Sequence, residues 1–114
     1  MNETTILQRI RLAIGRLPDV RFFRNNTGSL KDYTGRLVQF GLARGSADLI
    51  GWRTIEITPD MVGRRVAVFA SIEVKTPTGA VKPEQENWRR VVEQAGGIAV
   101  IARSEAEAVE ALRK

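Results

Sequence analysis

Neither cysteine nor histidine occurs among the 114 residues. Without cysteine there are no disulfides, no thiolate metal sites and no thiol nucleophile. Without histidine there is no Ser-His triad, no imidazole general base and no His-ligated metal. Any catalysis must rest on carboxylates, Lys, Arg, Tyr, Ser or Thr, and a metal partner would be a hard cation such as Mg²⁺. No segment approaches the roughly 18 consecutive apolar residues that span a bilayer. The N-terminus opens on Asn, Glu and Thr, not on a basic and then apolar leader. These absences lead us to expect no membrane partner and a cytoplasmic setting, in a bacterium or in the cytosol of a virus-infected host.

Positive charge is what the chain does have. Its 18 Lys and Arg against 13 Asp and Glu leave a net charge of +5. That balance points to a polyanionic partner; a solvated basic surface with no specific role is the plain alternative. The basic residues are spread along the chain, which suits a folded face better than a disordered arm. The hydrophobic fraction of 43% is ordinary for a globular protein. The length predicts one domain, residues 1–114, with a modest core.

Apolar residues at Ile6, Leu7, Ile10, Ala13, Ile14 and Leu17 predict an amphipathic helix over 3–17, with Asn2 as N-cap. Val20 to Arg24 reads as a short strand, followed by the turn-prone Asn25-Asn26-Thr27-Gly28. Residues 29–46 are looser, with a short strand possible at Leu37 to Phe40. Asp48 to Trp52 is the next apolar run, and Pro59 to Gly63 a turn or a single helical turn. Val66 to Lys75 is expected to be the longest strand. Pro83 opens a second helix, whose buried face is Trp88, Val91, Val92 and Ala95, and Gly96-Gly97 ends it. Ile98 to Ala102 is a buried strand. Ser104 with Glu107 makes a capping box for a last helix through Leu112. This order predicts an α/β fold with one mixed central sheet flanked by helices. Within it, the segment from Val66 to Ala102 is a strand–helix–strand crossover with parallel outer strands.

Chemistry concentrates at Ile72-Glu73-Val74-Lys75. Side chains alternate along a strand, so Glu73 and Lys75 share one face. Val66, Val68, Ala70, Ile72 and Val74 form the other, wholly apolar face, which is expected to be buried. Taken alone, Glu-x-Lys is also the pattern of an ion pair at a sheet edge. Asp48 follows Gly45-Ser46-Ala47 and opens an apolar run, a good position for a metal ligand; an Asp there also makes local backbone hydrogen bonds. Together the three residues supply what phosphodiester hydrolysis needs without histidine. Two carboxylates hold Mg²⁺, the metal activates a water, and a lysine orients that water or stabilises developing charge. They are expected to converge at a sheet edge, where the Val74 backbone carbonyl is a further possible ligand. Gln85, three residues before Trp88, lies on the inward side of the second helix, where it either reaches the site or caps the first turn. Glu3 extends the apolar stripe of the first helix, and is equally a favourable first-turn acid.

The ordered series Gly45-Ser46-Ala47-Asp48-Leu49, Ile72-Glu73-Val74-Lys75 and Lys82-Pro83-Glu84-Gln85 resembles the VRR-NUC domain of the PD-(D/E)XK nuclease superfamily. Glu3, Arg24-Asn25-Asn26-Thr27-Gly28 and Gly96-Gly97 extend the likeness over most of the chain. The resemblance implies a restriction-endonuclease-like core, with Asp48 and Glu73 ligating Mg²⁺ or Mn²⁺. It implies that Lys75 acts on the water, with Gln85 and Glu3 as supporting catalytic members. Ala47 stands where the family usually has proline, which bears on the rigidity of the approach to Asp48. Stand-alone bacterial and phage members imply a homodimer that cuts branched DNA, including four-way (Holliday) junctions.

Arg24, Lys31, Arg36, Arg44 and Lys82 flank the expected cleft and are the candidate DNA contacts; each is equally a solvated loop charge. Phosphate contacts of this kind position a duplex without reading its sequence, so structure-selective cutting is expected. The competing readings are a nucleic-acid-binding module without catalysis, a viral assembly protein, and a phosphoesterase acting on small esters.

Overall fold

Asn2 caps the first helix as its position predicts: its side-chain oxygen accepts from the Thr5 backbone N–H at 2.9 Å. This helix, α1, spans Glu3–Ile14 and closes at Gly15. It stops short of the expected Leu17, because the chain tightens into turns in which Arg16 and Leu17 donate to Ala13 and Ile14. The molecule is described by a computed structural model over residues 2–113. It divides into two compact units, residues 1–55 and 56–114.

In the first unit, α1 leads into β1 (Val20–Arg24), β2 (Gly28–Lys31), β3 (Leu37–Phe40) and β4 (Leu49–Arg53). β1 pairs antiparallel with β4, setting Arg24 opposite Leu49 and Val20 opposite Arg53. β2 and β3 form an antiparallel hairpin with Leu30 opposite Val38. The expected loose stretch over 29–46 therefore contains a strand, β2, that its composition does not announce. The hairpin turn is organised by Asp32. Its carboxylate accepts from the Thr34 hydroxyl at 2.6 Å, the Thr34 N–H at 2.9 Å and the Arg36 N–H at 3.0 Å.

The second unit opens with a 3₁₀ turn at Pro59–Met61, followed by β5 (Ala70–Val74), α2 (Pro83–Gln94), β6 (Ile98–Ala102) and α3 (Glu105–Leu112). β5 and β6 are parallel, as the strand–helix–strand order predicts, with Glu73 opposite Ile101. β5 is half the expected Val66–Lys75 strand. The Phe69 carbonyl takes the Ile98 N–H, and β6 begins there, so residues 66–68 have no ladder partner. α2 ends in a Schellman motif: Gly97 N–H bonds to the Val92 carbonyl and Gly96 N–H to that of Glu93. Gly96 takes φ +99° there, which favours glycine. Ser104 caps α3 by accepting from the Glu107 N–H, while the Glu107 carboxylate reaches back to the Arg103 N–H at 2.8 Å.

Two expectations about packing are corrected. The strands do not join in one central sheet; they pair in three two-stranded sheets, β1–β4, β2–β3 and β5–β6. The apolar face of β5 is not the covered one either. Ile72 is 44% and Val74 75% exposed, and Val66 and Val68 ahead of them are also exposed, whereas Ser71 and Glu73 are half-buried. Helix docking decides this. α2 lays Trp88 and Gln85 on the Ser71 and Glu73 side, with Trp88 Nε1 donating to Ser71 Oγ at 3.0 Å. The buried apolar residues of the described chain are Val92 on α2 and Ala99 and Ala102 on β6. Among the described residues, no helix is long and apolar enough to cross a membrane.

Candidate active site

Glu73 sits near the C-terminal end of β5 beneath the first turn of α2. Residues two apart on a strand and three apart on a helix each repeat on one face. Ser71 and Glu73 therefore meet Trp88 and Gln85 in reverse order, as expected where a crossover helix runs back along its strand. Gln85 Nε2 donates to Glu73 Oε1 at 2.5 Å. Gln85 Oε1 accepts from the Lys82 backbone N–H at 3.0 Å. The Gln85 amide thus ties down the helix start and also holds the Glu73 carboxylate. A lysine side chain has no acceptor, so only this reciprocal half of a capping box forms at Lys82.

Lys75 follows directly after β5 and shares the Glu73 face by alternation. Its backbone N–H donates to the Ala102 carbonyl at 3.0 Å. Among the described residues Glu73 and Lys75 form no ion pair with each other or with any other group. The edge ion-pair alternative is therefore not what this strand makes. Behind Lys75, the Arg103 guanidinium clamps the loop, donating to the carbonyls of Thr76 at 2.6 Å and Gly79 at 2.8 Å. A cavity of about 270 Å³ opens beside Glu73, with Glu84, Gln85 and Arg89 adding to its polar lining and Trp88 and Ile101 among its apolar walls.

Two further acids of α2, Glu86 and Glu93, are engaged by Arg89. Arg89 bonds Glu86 on one side and Glu93, at 2.9 Å, on the other. The Arg89 hydrogen bond holds the Glu86 carboxyl below its ordinary range, and Glu86 in turn raises Arg89 further.

Asp48 belongs to the first unit and immediately precedes β4. Its carbonyl accepts from the Asn25 N–H at 2.8 Å. Its side chain is exposed and, among the described residues, its carboxylate accepts no hydrogen bond, so the local backbone-capping alternative is not realised. Glu3 lies in the same unit, exposed in the first turn of α1. Of the candidate DNA contacts, Arg24 ends β1, Lys31 ends β2, and Arg36 and Arg44 lie in loops of the first unit. Lys82 is the N-cap of α2 in the second. All five are exposed, and among the described residues none is in an ion pair.

One residue of evident local importance was not singled out by sequence reasoning. Asn25, read there as part of a turn, binds the loop before Asp48 through its side chain, donating to Ser46 Oγ at 2.8 Å and to the Ala47 carbonyl at 2.9 Å. The signal available was an Asn directly after a strand, and turn propensity explained that residue too readily.

The candidate donors are all oxygens, the Asp48 carboxylate in the first unit and the Glu73 carboxylate and Val74 carbonyl in the second, and oxygen donors are the kind a hard cation takes. Among the described residues, no three acidic side chains are grouped as a metal-binding cluster. An ion held by so few protein groups would keep several waters, which is the habit of Mg²⁺.

Residues 26–106 match the family model described as the VRR-NUC domain. Comparisons with curated proteins and with solved structures each find no match. The matched span holds Asp48, Glu73, Lys75 and Gln85 and begins after Glu3, Arg24 and Asn25. It covers most of the chain and draws on both units, so this protein belongs to the VRR-NUC family, a nuclease-type domain.

Proposed function

We propose that this chain is a Mg²⁺- or Mn²⁺-dependent endonuclease that hydrolyses DNA phosphodiester bonds. The observation that carries the reading is the way Glu73 is held. A neutral amide fixes one carboxylate oxygen, and no cation pairs with the group among the described residues. The Glu73 charge is thus unspent on a basic partner and available to a divalent ion.

Asp48 and Glu73 are the acidic ligands in this reading, with the Val74 carbonyl as a third oxygen. A bound Mg²⁺ or Mn²⁺ supplies a water of lowered pKa and positive charge against the phosphate oxygens. The Lys75 ammonium orients the attacking water and stabilises charge that develops on phosphorus-bound oxygen. Gln85 keeps the Glu73 carboxylate in one rotamer, and Glu3 is a supporting acid. Arg24, Lys31, Arg36, Arg44 and Lys82 contact phosphates, setting the register of the substrate without reading bases. Affinity for DNA accordingly falls steeply with salt.

The substrate we infer is branched DNA, with four-way junctions foremost, cut by a homodimer within a single VRR-NUC domain of residues 1–114. A twofold dimer presents two sites to a symmetric junction, and a chain of 114 residues offers little area to grip one alone. The test is a cleavage panel of single-stranded, duplex, flap and four-way-junction DNA with Mg²⁺ or Mn²⁺. Cutting is expected only with metal and fastest on the junction, and Asp48→Asn and Glu73→Gln should each abolish it with circular dichroism unchanged. Cleavage that survives either substitution would overturn the assignment.

A further inference from the structure

We propose that Asn25 is the positioning residue for Asp48, holding the acid's loop through three side-chain hydrogen bonds. The inference rests on the nuclease reading of Asp48. Asn25 lies just beyond β1, half-buried, where its amide meets the loop that runs from β3 to β4. The Nδ2 group donates to Ser46 Oγ at 2.8 Å and to the Ala47 carbonyl at 2.9 Å. Oδ1 accepts from the Leu42 N–H at 3.3 Å. Its own backbone N–H takes the Asp48 carbonyl. One side chain thus ties the start of the loop, at Leu42, to its end, at Ser46 and Ala47, and the backbone fixes Asp48 itself.

The loop has little stiffness of its own. Gly41 and Gly45 both take positive φ, +82° and +85°, and Ala47 leaves the residue before Asp48 free to turn. A β-carbon on Gly41 would stand 2.6 Å from the Asn26 carbonyl oxygen. Glycine there lets the loop lie against the segment that carries Asn25. The rigidity that a metal ligand needs therefore comes from the asparagine.

This role predicts a particular signature. Loosening the support of a ligand weakens metal affinity, typically by 10–100-fold, while the reaction at saturating metal is less affected. The experiment measures the half-saturating Mn²⁺ concentration for cleavage, and Mn²⁺ binding to the free protein by calorimetry. It compares wild type, Asn25→Ala, Ser46→Ala, Asp48→Ala and Asp32→Ala. Asp32 is the control: it also makes three hydrogen bonds in the first unit but none to the Asp48 loop.

Asn25→Ala is expected to raise half-saturating Mn²⁺ on the order of tenfold, with Asp32→Ala within about twofold of wild type because Asp32 supports no part of the Asp48 loop. An Asn25→Ala value equal to wild type, or equal to that of Asp32→Ala, overturns the proposal. Should Asn25→Ala fail to fold, Ser46→Ala decides: a rise of about threefold supports the role as a partial loss of support, and no rise refutes it. The two readings separate cleanly. If wild type shows no metal-dependent cleavage, or Asp48→Ala does not remove it, the nuclease assignment falls and this inference with it. If both behave as expected and Asn25→Ala matches wild type, only the positioning role is lost.

Discussion

Replacing Gln85 by glutamate separates two explanations of the same residue. Reasoned from the helix alone, the change is benign or favourable. Glu and Gln have similar helix propensity, and a carboxylate in a first turn gains about 0.3–1 kcal/mol from the helix dipole. A Glu at this position can also still accept from the Lys82 N–H. Reasoned from the contact with Glu73, the change is damaging. It removes a hydrogen bond donated to a carboxylate at 2.5 Å, a kind of bond that contributes about 1.5–3 kcal/mol. It also sets two carboxylates face to face. Like charges about 4 Å apart repel by roughly 4 kcal/mol at an effective dielectric near 20. Glu73 and Gln85 are only half-buried, so water screens part of this. A net loss of about 2 kcal/mol at pH 8 is the resulting expectation.

Gln85→Ala is the reference. It loses the same hydrogen bond and the cap at Lys82, about 0.5–2 kcal/mol, but adds no charge. Urea unfolding followed by tryptophan fluorescence and circular dichroism gives the stabilities. Gln85→Glu should be about 2 kcal/mol less stable than wild type at pH 8, a loss that depends on pH as that of Gln85→Ala does not. As the pH falls towards 5, protonation of one member of the variant's pair removes the repulsion. The folded variant then binds more protons than its unfolded chain, so its stability rises as pH falls. The exchanged double variant Glu73→Gln/Gln85→Glu restores an amide facing a carboxylate and should recover most of the loss. A Gln85→Glu protein as stable as wild type at pH 8 would show that the side chains do not meet in solution.

Two further outcomes are expected. Lys75→Ala should bind DNA and Mn²⁺ normally and lose on the order of a hundredfold in cleavage rate at saturating metal; wild-type rates would contradict its assigned role. In the β2–β3 hairpin, the Thr34 hydroxyl foremost, opposed by desolvation and aided by the Arg36 and Thr34 N–H groups, holds the Asp32 carboxyl below its ordinary value of 3.8. The folded value being depressed, this contribution is fully present above pH 3.8 and is lost as the pH falls through the folded value. A carboxyl-carbon titration by NMR should place Asp32 below 3.8, and Thr34→Val should move it up; an unmoved midpoint would remove the hydroxyl from the account.

Much of this architecture is legible in the sequence where local chemistry decides it. Asn2, Pro83, Gly96-Gly97 and Ser104 each mark a helix end through a cap that needs only neighbouring residues. β1, β3 and β6 fall on their predicted residues, because their apolar runs give way to Asn25, Gly41 and Arg103. What was not legible depends on distant partners. Gly28-Ser29-Leu30-Lys31 has no strand pattern and becomes β2 only because β3 returns beside it around Asp32. Val66 and Val68 look like strand residues, yet β6 offers nothing to pair with them. The covered face of β5 follows the helix that docks on it, and Trp88 and Gln85 seek Ser71 and Glu73 for their hydrogen bonds. Alternation identified the two faces and put Glu73 with Lys75; it could not say which face α2 would choose.

The manner in which the acids are steadied bears on what they are for. Asp32 and Glu107 accept from backbone N–H groups, and three other carboxylates pair with arginine: Asp19 with Arg53, and Glu86 and Glu93 with Arg89. Such charge-assisted bonds are the stronger kind, and a cation would have to compete with the guanidinium for the same oxygens. Glu73 and Asp48 are treated differently. Amides carry no charge, so the Gln85 side chain can orient Glu73 and the Asn25 side chain can brace the approach to Asp48 without neutralising either carboxylate. Lys75 likewise pairs with no carboxylate among the described residues. In the proposed reading, that combination suits a divalent ion set against a polyanion: negative charge held in place yet unspent on internal partners, and an ammonium unpaired among the described residues.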